Sequence, residues 1–145
     1  VEAFGSRSMS VFDGQTGKIL FDSGDQIEKM IAKTVPSLFN WNAKKGKLKI
    51  DARSEDKGAE PEMVTIGEWN DKKVAFLGLE RMTGIIVWDL KNPEKPLIID
   101  YYLDPKDRGP EGILFISAQK SPFPRIPLLI VGYEYSKSIV IYSIQ

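Results

Sequence analysis

Five glutamates are the residues of this 145-residue chain whose type and placement suggest chemistry. Glu60 and Glu62 lie in GAEPEM, Glu80 in GLER, Glu111 in GPEG and Glu134 in GYEY. Carboxylates grouped with backbone carbonyls are ligands of hard cations, so Glu60, Glu62, Glu80, Glu111 and Glu134 form a candidate site for Ca2+ or Mg2+. Arg7, Arg53, Lys57 and Arg81 are expected nearby and could grip an anionic group such as a phosphate. A structural reading stands beside this one. In it each Glu caps backbone donors or pairs with a local cation, Glu80 with the neighbours of Arg81 and Glu111 with Arg108.

Composition narrows the chemistry. The chain has neither His nor Cys, so catalysis would rest on carboxylates, Lys, Arg, Tyr or a hard cation. Disulfides, thiolate metal sites and Cys nucleophiles are excluded. Lys+Arg 20 balances Asp+Glu 20, so no global field recruits nucleic acid or an anionic membrane. The one basic run, Lys44-Lys45-Gly46-Lys47-Leu48-Lys49, reads as a solvated loop. No apolar run approaches the ~20 residues that a membrane span needs. Walker loops and dinucleotide fingerprints are absent from the sequence, and no organic cofactor is expected. A chain of this length can bury one real core. It opens in mid-pattern at Val1, and a fragment or processed piece is expected.

The elements that must position these residues are strands. Gly58–Leu90 holds three apolar runs, Met63–Ile66, Val74–Leu79 and Ile85–Leu90, broken at Asn70-Asp71 and at Met82–Gly84. Short β-branched and aromatic runs between such breakers read as strands joined by hairpins. Leu97–Leu103 supplies a fourth strand. Ahead of them, Ala3–Asp13 and Lys18–Asp22 flank a Gly14–Gly17 turn and form another hairpin. Asp25 is an expected N-cap with Glu28 completing a capping box, and Ile27, Met30 and Ile31 have helical spacing. A short amphipathic helix is predicted over Asp25–Lys33, packed on the rim and ended by Pro36. Ser37–Asp56 reads as a long loop or insertion, with a strand expected at Lys47–Asp51.

The pattern then repeats. Gly132, Glu134 and Tyr142 match Gly78, Glu80 and Trp88 at an offset of 54 (132 − 78), and Glu111 matches Glu62 at an offset of 49 (111 − 62). The Pro-rich loop Ser121–Pro127 absorbs the difference. The opening hairpin repeats the outer half, with Phe12-Asp13 parallel to Trp88-Asp89 and Lys18–Asp22 parallel to Leu97–Asp100. A repeat of ~50 residues carrying four strands is the mark of a β-propeller blade. The fold class is therefore all-β, the C-terminal blades of a β-propeller with one short helix in an insertion. Residues 1–22 are the outer half of a blade, 23–57 the helix and loop insertion, 58–103 a full blade, and 109–144 three strands of a closing blade. A closed propeller needs at least about four blades. The alternative is a small standalone antiparallel sandwich or barrel.

The stretches ARSEDKGAEPEMVTIGEWNDKKVAFLGLERMTGIIVWDL, RGPEGILFISAQKSPFPRIPLLIVGYEYSKSIVIYSI and AFGSRSMSVFDGQTGKILFDSGD carry the motifs DKGxEPE, FLGLER and RGPEG. On these the chain resembles the C-terminal part of the choice-of-anchor I family, which takes in mesenchyme-specific cell-surface glycoproteins. The resemblance implies a secreted or surface-anchored protein with a lactonase-like or phytase-like β-propeller. Some members are described as alkaline-phosphatase-like, and no catalytic residue is carried over from them.

Two functions follow as expectations. One is an extracellular or cell-surface propeller acting as a binding scaffold, with a divalent cation near its channel. The other is a metal-assisted hydrolase of phosphoesters or lactones, which uses a carboxylate-held cation and Arg/Lys clamps. In a propeller the first strand of each blade lines the channel, so the carboxylates are expected to converge near one of its mouths. Exposed sheet edges favour association, so the expected partners are remaining blades on another chain or a second copy of this one.

Overall fold

A computed structural model describes residues 7–45 and 49–145. Among these, nine strands form three antiparallel sheets. The first sheet pairs β1 (Ser10–Phe12) with β2 (Ile19–Asp22). The second runs β3 (Pro61–Trp69), β4 (Lys72–Leu79), β5 (Ile85–Asp89) and β6 (Leu97–Tyr102) in sequence order. The third runs β7 (Pro110–Ile116), β8 (Leu128–Tyr133) and β9 (Ser138–Ser143). The protein is all-β with one α-helix among the described residues, and its sheets fit part of a β-propeller.

Turn chemistry explains the hairpins. Asn70 and Asp71 both take positive φ, 49° and 58°, as a two-residue turn matched to the strand twist requires. At the next corner Gly84 has φ 92° and lies so close to Tyr101 and the Tyr102 carbonyl that a Cβ would stand 2.7 Å from each. Only glycine fits there.

The repeat holds in three dimensions, down to its irregularities. Met63 pairs with Gly78 and Gly112 with Gly132, each just after a bulge. Gly78 then pairs with Ile85, as Gly132 does with Ile139. In the first sheet the register slips between Val11 and Phe12, where the second sheet slips between Val87 and Trp88. Bulges are built into a fold rather than accidental to it. Their recurrence at matching places identifies β1–β2 as the counterpart of β5–β6, and β7–β9 as that of β3–β5.

Alternation along the strands gives each sheet two apolar faces, and the sheets stack through them. One face of the second sheet (Ala75, Leu77, Leu79, Ile86 and Trp88) packs under β1–β2 and the helix. The other face (Val74, Phe76, Ile85 and Val87) packs on Leu129, Val131 and Tyr133 of the third sheet. Phe115 stacks on Phe76 with ring centroids 5.8 Å apart. Gly67 makes that approach possible, because a Cβ there would lie 2.7 Å from the Phe115 ring.

The helix α1 covers Gln26–Thr34 and buries Ile27 and Ile31 completely. It packs into the core between the first two sheets. Its predicted capping box does not form. Asp25 makes no side-chain cap and instead pairs with Lys29 at 2.8 Å. Glu28 turns away to Arg7 and Asn40. A part-buried, charge-assisted bond to a guanidinium outweighs one to a solvent-side N–H. The strand expected over Lys47–Asp51 lies partly outside the described residues, and residues 49–51 form no strand. The insertion instead carries two 3-10 turns, Pro36–Leu38 and Ala43–Lys45. Trp41 anchors it by burial and by an indole N–H donated to the Met82 carbonyl at 2.8 Å.

Candidate metal centre

Three of the five glutamates meet. Glu60, Glu62 and Glu80 each offer a carboxylate oxygen, and these oxygens all lie within 4.8 Å of one another. Two ligands of one Ca2+, each about 2.4 Å from it, can be no farther apart than about 4.8 Å. A single hard cation could therefore bridge the three.

Backbone geometry creates the meeting. Glu60 has φ 56° and stands just before β3. Its carbonyl accepts from the Glu80 N–H at 2.9 Å, while the Ala59 carbonyl accepts from Met82 at 3.2 Å. These bonds fasten the entry of β3 to the exit of β4. Glu62 is the extra residue at the bulge between Pro61 and Met63. A bulge re-aims a side chain, and this one brings Glu62 to the strand end that carries Glu80.

The electrostatics of the three acids differ. Glu60 is 6% exposed. Its Oε1 lies 2.5 Å from Lys57 Nζ, and its Oε2 lies 2.6 Å from Arg81 Nε and 3.3 Å from Arg53 Nη2. Burial pushes its carboxyl up, but the Lys57 and Arg81 bonds and charges outweigh that and hold it below the usual carboxylate range. Glu80 is 5% exposed, and Arg81 Nη2 lies 3.4 Å from its carboxylate. Burial pushes Glu80 up most; Arg81 pulls it back, and Glu60 and Glu62 push it up again, to about 7. Glu62 is exposed and opens the cluster to solvent. The centre thus joins a neutralised carboxylate, a poorly neutralised buried one and an accessible one.

Glu111 and Glu134 fall outside this group. They occupy the equivalent bulge and strand end of the third sheet, and both are exposed. Glu134 still contributes charge at the Arg81 guanidinium. The pairing of Glu111 with Arg108 is not found among the described residues. Arg108 Nη1 instead donates to the Ala43 carbonyl at 3.0 Å and holds the insertion against the third sheet.

The basic residues separate as well. Arg53, Lys57 and Arg81 converge on Glu60, and Arg53 also reaches Asp56 at 2.5 Å. Arg7 stands apart from them. It pairs with Glu28 at 3.0 Å and donates to the Ser54 and Asp56 carbonyls, clasping the insertion. Sequence reasoning missed Tyr135, whose ring receives both Lys44 and Arg81 at 5.5 and 5.4 Å from its centroid. It also missed Asn40, fully buried with φ 43° and bonded to Ser54 at 2.8 Å.

The choice-of-anchor I domain matches residues 1–93. The mesenchyme-specific cell surface glycoprotein of Strongylocentrotus purpuratus is 30% identical over 98 residues, covering 60% of this chain and 13% of that protein. Gigasin-3a of Magallana gigas is 31% identical over 94 residues, covering 62% of this chain and 33% of that protein. The chain thus spans a third or less of either relative. No solved structure matches it. With the matched region reaching from the first hairpin through β5, the chain belongs to the choice-of-anchor I domain family.

Proposed function

We propose that this chain is part of an extracellular or cell-surface β-propeller that serves as a binding scaffold, with Ca2+ or Mg2+ held by Glu60, Glu62 and Glu80. The surface location rests on the family and on the printed description of the sea-urchin relative. The cation rests on one observation. Glu80 is buried beside two further carboxylates, and it shares Arg81 with Glu60, which holds that guanidinium at the shorter distance. Leaving a carboxylate buried without adequate neutralisation is costly, and a divalent ion removes that cost while waters fill its remaining positions. Glu62, exposed at the bulge, is the route by which the ion enters.

The scaffold is favoured over the hydrolase by the same geometry. A hydrolase needs a free basic group beside the ion to grip substrate. Arg53, Lys57 and Arg81 are turned inward onto Glu60, and Arg7 onto Glu28.

Calorimetric titration with CaCl2 and MgCl2 tests the site. The wild-type chain should bind one ion, and Glu62→Gln and Glu80→Gln should each weaken binding at least tenfold. Glu111→Gln, in the equivalent bulge of the third sheet, should bind as the wild type does. Absence of binding by the wild type, with its circular dichroism intact, overturns the cation site.

A further inference from the structure

We infer, on the basis of that cation site, that Lys57 is a built-in competitor for the ion: its ammonium sits on Glu60 in the metal-free chain, and Ca2+ or Mg2+ displaces it to solvent on binding. Glu60 leaves one oxygen for an ion. Its Oε2 accepts from Arg81 Nε at 2.6 Å and lies 3.3 Å from Arg53 Nη2. Among the described residues, Oε1 has only the Lys57 ammonium, 2.5 Å away. A Ca2+ about 2.4 Å from that oxygen would stand within about 5 Å of the ammonium. Like charges so close repel one another, and both cannot keep the same oxygen. Nor does Lys57 answer to Glu60 alone. The hydrogen bond and charge of Glu60, and then the charges of Glu62 and Glu80, hold its ammonium above the ordinary lysine range. Those are the three carboxylates that the ion would bridge.

Lys57 is also the cation able to leave. Its side chain is 44% exposed, against 12% for Arg53 and 19% for Arg81. Each arginine keeps a second carboxylate, Arg53 in Asp56 and Arg81 in Glu80. Lys57 pairs with Glu60 alone among the described residues. Its backbone stays in place, the carbonyl accepting from the Glu60 N–H at 3.3 Å, so the flexible four-carbon stem carries the movement. Repelled by the ion, the ammonium turns to solvent, and the loaded centre still holds no fixed basic group. A short tether keeps the local concentration of the ammonium high, so an ion binds only by outcompeting it. A monovalent ion brings no more charge than the group it would replace, and the exchange therefore favours a divalent one.

Two measurements read the competition, calorimetric titration with CaCl2 and labelling of lysine amines by acetic anhydride followed by mass spectrometry. Lys57→Met, at a half-exposed side chain, should fold as the wild type does and bind Ca2+ roughly tenfold more tightly, because no tethered charge opposes the ion. Lys44→Met removes an ammonium that lies over the Tyr135 ring rather than on Glu60, and should bind Ca2+ as the wild type does. In the wild type itself, labelling of Lys57 should rise several-fold when CaCl2 saturates the centre, since the freed amine loses the carboxylates that hold its proton. Equal affinities of Lys57→Met and wild type, an equal gain in Lys44→Met, or Lys57 labelling unchanged by bound Ca2+ would each overturn the competition while the cation site stands. Absence of Ca2+ binding by all three proteins overturns the cation site, and the competition with it.

Discussion

Glu60 and Gly109 occupy the same place in two successive sheets. Each stands just before a bulged first strand in the left-handed region, with φ 56° and 71°. Each carbonyl accepts from the residue after the second strand, Glu80 N–H to Glu60 at 2.9 Å and Glu134 N–H to Gly109 at 2.7 Å. In the third sheet a glycine meets this backbone demand without strain. In the second a glutamate meets it, at a conformational cost of about 1–2 kcal/mol, and gathers Arg53, Lys57 and Arg81 in return.

Two substitutions at that position separate backbone from charge. Glu60→Gly relieves the backbone but removes the carboxylate shared by Lys57, Arg53 and Arg81, leaving Arg53 only Asp56 and Arg81 only Glu80, and breaking a buried ion pair typically costs about 3–5 kcal/mol. We expect a net loss of about 2–4 kcal/mol in urea denaturation, and a larger loss for Glu60→Ala, which keeps the strain. A neutral Glu60→Gly would show that the cations find other partners.

Glu80 makes stability depend on pH in a defined direction. Its carboxyl is raised from an ordinary 4.5 to about 7 in the folded chain, so between these values the folded state binds more protons than the unfolded one. Stability then falls as pH rises through that window. Metal-free protein should melt at lower temperature at pH 8 than at pH 5, Glu80→Gln should flatten this difference, and millimolar Ca2+ should abolish it in the wild type. A melting temperature that rises from pH 5 to pH 8 would contradict the assignment.

Gly67 sets the distance between the second and third sheets. Gly67→Ala places a methyl 2.7 Å from the Phe115 ring, and overpacking of this kind costs about 1–3 kcal/mol. Phe115→Leu in the same chain should restore part of the loss, giving a favourable coupling in a double-mutant cycle. Additive losses would mean that the two positions do not press on each other.

The insertion should depend on Arg7. Arg7→Ala removes the bonds to Glu28, Ser54 and Asp56 and leaves Glu28, 21% exposed in its side chain, without its guanidinium. Limited proteolysis should then cut between Pro36 and Asp56 several times faster than in the wild type, while β3–β9 stay protected. Equal cleavage rates would place the anchoring in Trp41 and Arg108.

The sequence by itself determined the strands, their hairpins and the repeat. Period-2 apolar runs and turn residues such as Asn70-Asp71 act through neighbours a few positions away. It also carried an unused signal: the offset of 49 sets Glu60 opposite Gly109, and a glycine at the matching place warns of positive φ. Tertiary structure alone decided which acids meet and which cations they use. Glu62 joins Glu80 because a bulge turns it there, and Arg7 leaves the group because α1 brings Glu28 to it. Glu111 and Glu134 stand at the matching bulge and strand end of the third sheet, where Gly109 takes the place of Glu60 and supplies no third acid. Lys57 reaches Glu60 within one local turn, but the other choices depend on the packing of strand ends far apart in the chain, as with Arg81 and Glu60 at a separation of 21, and no local pattern encodes those.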